Sequence, residues 1–182
     1  MAIHGEKHRL EVSEAIKGRR SIRAFSNQRV SEEEVKVLID AARNAPSAGN
    51  IQPWEFVIVR KPDVKGELAL AALNQTFIEK ASVVIVVCAD ETASESGYGS
   101  RGKTLYCIQD TAAATQNILI TAYSLGLGTC WIGAFTEEKV KKALGIPEGV
   151  RPVAIIPIGH VTSNPPKHPR KPADEVVHYE KF

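Results

Sequence analysis

Long hydrophobic runs, an excess of one charge sign and paired cysteine motifs are all missing from this 182-residue chain. Its longest purely apolar run, residues 83–89, falls far short of the ~20 residues that a membrane-spanning helix needs, so we expect no membrane partner. The net charge is only +2 and no long basic face is apparent, which argues against nucleic acid as a partner. No catalytic triad or carboxylate pair stands out either.

The three cysteines, Cys88, Cys107 and Cys130, are odd in number and lie in apolar stretches without a C-x-x-C pair. They are typical of reduced core thiols in a cytoplasmic protein. Cys130 has no nearby His, which favours a buried thiol over a nucleophile. The segment around His4 and His8 has no apolar signal core and no third ligand, so neither export nor a metal site is expected.

Composition and apolar periodicity predict one globular domain, residues 1–182, that mixes helices with strands. Gly18 is expected to end the first helix in a left-handed conformation, and Ser31 with Glu34 predicts a capping box for the second. The predicted helices cover about 11–17, 31–45, 61–73, 105–125 and 136–144. The predicted strands cover 55–59, 82–89 and 153–159, with a glycine-interrupted extended stretch at 128–135.

The densest cluster of cations is Arg19-Arg20-Ser21-Ile22-Arg23, directly after the first predicted helix. Guanidinium groups present a planar fork of donors that matches phosphate oxygens, and Ser21 adds a hydroxyl. The cluster therefore indicates an anion site, while a solvated basic turn is the alternative that five residues alone leave open.

A glycine-rich segment, Gly97–Thr104, fits the pattern G-x-x-x-x-G-K-[ST] and also contains G-x-G-x-x-G. Both phosphate-binding motifs require the glycine loop to leave a buried strand directly. Here Glu91–Ser96 intervenes with two glutamates, and no later strand ends in an Asp that could help to hold Mg²⁺. We therefore keep a P-loop nucleotide-binding protein as the least favoured alternative and interpret Glu91–Lys103 as a lid.

Two further segments are irregular. Pro46–Trp54, with two prolines and a glycine, is a loop between a helix and a strand. From Thr162 onward the chain is rich in proline, yet it ends in Val176, Val177, Tyr179 and Phe182. These apolar side chains favour an arm that docks on a surface over a solvated linker.

Four motifs in the same order make the chain similar to the FMN-dependent nitroreductase family: Arg19–Arg23, Ala45–Trp54, Gly126–Gly133, and the tail from Pro169 through Tyr179. The resemblance covers nearly the whole chain. It implies an α+β fold with three layers, α/β/α, around a central, mostly antiparallel sheet. It also implies a homodimer in which the arm from about residue 162 to 182 embraces the partner, with one FMN in each interface groove.

The resemblance assigns flavin binding to Arg19, Arg20, Ser21, Arg23, Pro46, Ser47, Asn50, Asn74, Trp131, Ile132, Gly133 and Arg170. The first role, to wrap the phosphate and the ribityl or pyrimidine side, falls to Arg19, Arg20, Ser21 and Arg23. The loop residues Pro46, Ser47 and Asn50 reach over the ring from the other subunit. Asn74 lies near the pyrimidine edge. The segment from Trp131 to Gly133 lines the dimethylbenzene-to-N5 side through backbone groups, and Arg170 adds a second phosphate clamp.

Some positions depart from the family pattern. Phe77 stands where some members have a lysine, so Arg23 becomes the candidate stabiliser of the reduced flavin. His168 replaces a tail lysine, which leaves its contact with the phosphate open.

The activity that the resemblance implies is hydride transfer from NADH or NADPH through flavin N5 to a small-molecule acceptor such as a nitroaromatic or quinone, in ping-pong order. The alternative is a flavin enzyme of the same fold with other chemistry: reductive dehalogenation, flavin fragmentation or ring dehydrogenation. The sequence fixes neither the physiological acceptor nor the preferred nicotinamide.

Overall fold

An antiparallel sheet of four strands lies at the centre of the computed structural model, which describes residues 11–182. The strands are β1 Trp54–Val59, β2 Val83–Asp90, β3 Leu127–Thr129 and β4 Val150–His160. Their order across the sheet is β1-β2-β4-β3, so the two longest strands lie in the middle. A β-bulge between Val87 and Cys88 shifts the register of β2 against β4.

Seven helices surround the described sheet: α1 Val12–Gly18, α2 Glu32–Arg43, α3 Pro62–Ala71, α4 Phe77–Lys80, α5 Glu91–Arg101, α6 Cys107–Ser124 and α7 Glu137–Leu144. A π-helical turn, Gly102–Tyr106, joins α5 to α6, and short 3-10 turns lie at Ala48–Asn50 and Ala173–Glu175. The predicted capping box is confirmed, because the Glu34 amide donates to Ser31 Oγ at 3.1 Å and the Ser31 amide donates to Glu34 Oε2 at 2.8 Å.

Two apolar clusters show that the sheet is covered on both faces. On one face, Val83, Ile85 and Val87 of β2 pack with residues of α2 and α6. On the other, Val84 and Val86 pack with residues of α3, α4 and α7. Alternating residues of β2 therefore serve both layers, as expected of a strand buried on both faces. The predicted three-layer α+β fold is confirmed.

The prediction for Gly18 is wrong. This residue is the last of α1 and has no positive φ. A Cβ at this position would meet the Tyr123 ring, which approaches from α6. Gly18 is thus a point of close packing between α1 and α6 instead of a left-handed helix stop.

The glycine-rich segment is helical, which corrects its interpretation as a loop. Helix α5 begins directly after β2, with Asp90 accepting a hydrogen bond from the Ala93 amide at 2.9 Å. The helix is interrupted only at Tyr98 and Gly99, where the backbone leaves helical values. Lys103, the presumptive phosphate ligand of a P-loop, pairs with Glu95 at 2.9 Å. The backbone amides of Gly97–Thr104 therefore do not form the strand-to-helix loop that a P-loop requires.

Gly102 is a packing position, and this gives a test of stability. A Cβ on Gly102 would collide with the backbone carbonyl of Ser94, which a side-chain rotation cannot relieve. We expect Gly102→Ala to lower the free energy of unfolding by about 1–3 kcal/mol through overpacking. The control is Gly66→Ala in α3, where no atom of the described residues 11–182 lies within 4 Å of the added methyl group. It should stabilise the protein by roughly 0.5–1 kcal/mol. Denaturant unfolding of both variants measures their free energies of unfolding. Equal changes in the two variants would contradict the packing role of Gly102.

Within residues 11–182, no helix combines the length and apolarity needed to cross a bilayer. The predictions for His4 and His8 fall outside the described residues.

Candidate functional site

The arginine cluster is fixed to the edge of the sheet. Ile22 is buried, and its amide donates to the carbonyl of Thr129 in β3 at 2.8 Å. Ser21 forms a parallel bridge with the same strand residue. Because Ile22 anchors the centre of the cluster, the flanking arginines lie at a defined position on the surface.

The arginine cluster and the tail meet in one cleft of about 380 Å³. Its lining comprises Ile16, Lys17, Arg19, Arg20, Ser21, Arg23, Pro165, Pro166, Lys167, His168 and Arg170. Six of these residues are Lys or Arg and none is Asp or Glu. Two segments about 150 residues apart in sequence thus build a strongly cationic pocket, which suits a multiply charged anion.

Arg20 has a second task that the sequence did not indicate. Its Nη1 donates to the carbonyl oxygens of Lys17, Gly18 and Arg19 at 2.8, 2.7 and 2.9 Å. These are carbonyls at the end of α1, which a cation stabilises. Arg20 therefore caps the helix while it lines the cleft, and Arg19, Arg23 and Arg170 are the better-placed cations for an anion.

Arg23 stacks on an aromatic ring. Its guanidinium carbon lies 5.7 Å from the centre of the Phe77 ring, within the range of a cation–π contact. Phe77 begins α4, and the end of this helix is held by Lys65, whose buried ammonium donates to the carbonyls of Glu79 (2.8 Å) and Ala81 (2.7 Å). Burial lowers the pKa of Lys65, with Glu79 opposing the shift. Asn74 lies exposed in the turn before α4, with φ 61°.

The segment after β3 offers fewer backbone groups than predicted. The amide and carbonyl of Ile132 exchange two 3.0 Å hydrogen bonds with Ile155, and its side chain is buried. The amide of Ile132 is therefore already used within the sheet, and the assignment of Ile132 to the flavin stays a prediction. Ile132 fixes the segment, which leaves its neighbours Trp131, 39% exposed, and Gly133 at the surface.

Cys130 is 1% exposed, which confirms the prediction of a core thiol. Burial raises the pKa of this thiol, although Arg23, a hydrogen bond with Ser21, and Arg19 act in the opposite direction. Cys107 is also buried with a raised pKa, and burial raises the pKa of Cys88 to about 12. All three are neutral thiols near pH 7.

The loop that contains Pro46, Ser47 and Asn50 has an unusual backbone. Gly49, Asn50 and Gln52 have φ values of 54°, 57° and 56°. A left-handed conformation costs a residue other than glycine roughly 1–2 kcal/mol. Ser47 helps to hold the turn, because its Oγ accepts a hydrogen bond from the Gln52 amide at 3.0 Å. The hydroxyl proton of Ser47 remains able to donate to a ligand.

Sequence reasoning missed two residues that contact this loop, Asp110 and Tyr98. The carboxylate of Asp110 accepts from the Ala48 amide, and Tyr98 packs on Gly49. The available signal for Asp110 was a charge within the first turn of α6 next to the buried positions Cys107, Thr111 and Ala114.

The structure thus brings together some of the predicted site residues and leaves others apart. The arginine cluster, Ser21 and Arg170 line one cleft. The other predicted residues do not line it: Pro46, Ser47, Asn50, Asn74, Trp131, Ile132 and Gly133.

Comparison with known proteins identifies the fold and its family. A sequence model of the Nitroreductase family matches residues 16–76 and 68–160, which is most of the chain. The chain belongs to the nitroreductase family. An Archaeoglobus fulgidus relative named as an NADH dehydrogenase/NAD(P)H nitroreductase is 38% identical over 154 residues, which covers 82% of this chain and 85% of that protein.

Other nitroreductase relatives carry flavin in their names. The FMN reductase (NADPH) of Bacillus subtilis is 34% identical and covers 91% of this chain and 72% of its own length. The solved structure of the Vibrio harveyi NADPH:FMN oxidoreductase, complexed with NAD⁺, has a TM-score of 0.87 at 31% identity. It covers 94% of this chain and 77% of that structure. The nitroreductase fold therefore extends over nearly the whole chain.

Proposed function

We propose that this protein is an NAD(P)H-dependent FMN oxidoreductase. The observation that carries the proposal is the cationic cleft that Arg19, Arg23 and Arg170 line from two distant segments, with no Asp or Glu among its lining residues within 11–182. A phosphate dianion fits Arg19 and Arg170 without protonation, since each guanidinium can form two parallel hydrogen bonds to its oxygens, and Arg23 is assigned to the flavin ring. The named relatives support the cofactor and the nicotinamide donor.

The remaining residues position the ring in this proposal. Ser21 adds a hydroxyl donor at the phosphate, Asn74 an amide near the pyrimidine edge, and the exposed Trp131 and Gly133 a surface beside the ring. FMN, when bound, supplies the electron chemistry, accepting hydride from NADH or NADPH and passing electrons to an acceptor. This chemistry needs no acid–base pair from the protein.

We further propose that residues 1–182 form one domain that acts as a homodimer. Several large apolar side chains lie more than half exposed on α1 and on the arm: Val12, Ile16, Val176, Tyr179 and Phe182. Covering them with a second copy would stabilise an assembly by the usual gain for buried apolar area. In that dimer the arm embraces the partner, and Pro46, Ser47 and Asn50 reach the partner's flavin. The three buried thiols fit a reducing, cytoplasmic setting.

Nitroaromatics and quinones are the proposed acceptors, because relatives are named nitroreductases and flavin reductases. The surface of α5 that carries Tyr98 is the proposed lid over the acceptor. Reductive dehalogenation, flavin fragmentation and ring dehydrogenation remain the second candidate. An anaerobic titration with a nitroarene and a quinone separates these reactions from the proposed one.

An anaerobic titration tests the function. The purified, FMN-loaded protein should be yellow, bleach with NADH or NADPH, and recover its colour when a nitroarene or a quinone is added. Bleaching without recovery by either acceptor class would favour the other flavin chemistries. A protein that binds no flavin would overturn the proposal.

Arg23→Ala tests the proposed role of that side chain. Arg23 would place positive charge where the reduced cofactor carries negative charge, so its loss should weaken FMN retention and slow bleaching by roughly 10–100-fold. The measurements are FMN per chain and the stopped-flow bleaching rate at saturating FMN. Phe77→Leu is the control, since it removes the stacked ring and keeps the charge of Arg23. This variant should retain most of its FMN and most of the bleaching rate. Unchanged retention and rate in Arg23→Ala would remove Arg23 from the site.

A further inference from the structure

Asp110 contacts the loop 46–53 from the interior of the protein and is mostly buried. The residue lies on the first turn of α6 and is 7% exposed. Its Oδ1 and Oδ2 lie 3.1 and 3.2 Å from the amide nitrogen of Ala48, so one backbone N–H is shared by both oxygens. Within residues 11–182 the carboxylate forms no ion pair with a Lys or Arg.

Burying the Asp110 carboxylate in this way lowers the stability of the folded state, which is unfavourable for a residue that serves the fold alone. Burial raises the pKa of the Asp110 carboxyl, and the hydrogen bond from Ala48 lowers it only in part. A buried carboxylate without a cation destabilises the folded state. An apolar residue would pack against the loop without the free-energy cost of burying a charge. The benefit of Asp110 is therefore the hydrogen bond that its carboxylate accepts from the Ala48 amide.

Ala48 is the first residue of the short 3-10 turn that ends at the left-handed Asn50, and the left-handed Gln52 follows two residues later. Such backbone strain persists only where surrounding contacts determine it, and it is concentrated at functional sites. On the other side, Tyr98 packs against Gly49, and Ile51 packs against Gly97 of α5. The turn is therefore held between α5 and α6, with the Asp110 bond as its buried polar anchor.

We propose that Asp110 is a positioning residue that holds loop 46–53 in the one shape from which Ser47 and Asn50 meet the flavin of a second copy of the chain. The inference rests on the proposed function, since it assigns the loop to the flavin. Asp110 itself does not touch the cofactor. It acts through the Ala48 amide, and the strained turn passes the constraint on to the two residues that do.

Three variants separate positioning from ordinary stability. Asp110→Ala removes the acceptor, and Asp110→Asn keeps one oxygen that can accept from Ala48. Thr115→Val is the matched control, because Thr115 is a fully buried polar residue of the same helix. Among residues 11–182, its hydroxyl bonds only to the carbonyl of Thr111, at 2.8 Å. If Asp110→Ala yields no folded protein, Asp110→Leu removes the acceptor and fills the space.

The readouts are hydrogen exchange of the amides of residues 48–52 in FMN-free protein, the dissociation constant for FMN, and Tm. Loss of the acceptor should speed hydrogen exchange of the amides of residues 48–52. It should also raise the dissociation constant for FMN by about tenfold, the equivalent of one hydrogen bond. Asp110→Asn should restore both. Thr115→Val should change Tm alone.

Each negative result has a distinct meaning. If Asp110→Ala matches Thr115→Val in loop exchange and FMN affinity, the residue is structural and the positioning role is overturned while the function stands. Failure of Asp110→Asn to restore either readout also overturns it, because the bond to Ala48 would not be the cause. If the unmodified protein binds no FMN, the proposed function and this inference fall together.

Discussion

A chain that ends after Thr162 is expected to lose FMN and to dissociate into monomers. The truncation removes the side of the cationic cleft that consists of Pro165, Pro166, Lys167, His168 and Arg170. It also removes the exposed apolar side chains of the arm, which would cover the partner in the dimer. Losing Arg170 and Lys167 from the phosphate site should cost at least about 2–3 kcal/mol of FMN binding, or roughly a hundredfold. Bound FMN per chain and sedimentation velocity measure the two effects.

A shorter truncation separates them. A chain that ends after Pro172 keeps Arg170 and the cleft but loses Val176, Val177, Tyr179 and Phe182. The dimer of this truncated chain should dissociate more readily than that of the full chain. The truncated chain should still bind FMN more tightly than riboflavin, which lacks the phosphate. We call Arg19 and Arg170, which line the cleft from two distant segments, the divided clamp. A Thr162 truncation that stays dimeric and fully yellow would refute it.

The double variant Arg19→Ala/Arg170→Ala is expected to have the second-largest effect, an almost complete loss of selectivity for FMN over riboflavin. Each guanidinium contributes charge-assisted hydrogen bonds of about 1.5–3 kcal/mol, so each single variant should bind FMN roughly 10–100-fold more weakly. Riboflavin lacks the phosphate, and its affinity should change little. Fluorescence titration of both ligands against the two single variants and the double variant measures this.

Arg43→Ala is the matched control for charge. Arg43 is an exposed arginine at the end of α2 that pairs with Asp40 at 3.5 Å, away from the cleft. Its loss lowers the net charge by the same amount and should leave FMN affinity within about twofold, since exposed charges far from the ligand are screened. If Arg43→Ala and Arg19→Ala weaken FMN equally, general electrostatics would account for the binding and the clamp would not.

The sequence predicted the fold where local signals agree with burial. Ser31 and Glu34 form the capping box, and the valine-rich run became the buried central strand because it can serve both faces of the sheet. It misled where composition and context conflict. Glycine and serine are poor helix formers, yet α5 forms between Asp90 and the π-helical turn because Asp90 caps it and Gly102 packs on Ser94.

For the site, the sequence supplied residue types and could not supply partners in space. Arg19 and Arg170 could be linked only through the family resemblance, since about 150 residues separate them, and the structure lines one cleft with both. The bonds from Arg20 to the end of α1, and from the Ala48 amide to Asp110, are tertiary geometry with no motif of their own. Asn74 lies in the turn before Phe77, and no local sequence pattern indicated the left-handed backbone of this turn.

The affinities of the unmodified protein for FMN and riboflavin, measured side by side at low and high salt, test the central claim most directly. The divided clamp predicts that FMN binds at least about a hundredfold more tightly than riboflavin, because several charge-assisted hydrogen bonds serve the phosphate alone. The gap should narrow as salt rises, since partly exposed arginines are screened. Equal affinities at both salt concentrations would contradict the account, because the six cations of the cleft would then hold no phosphate.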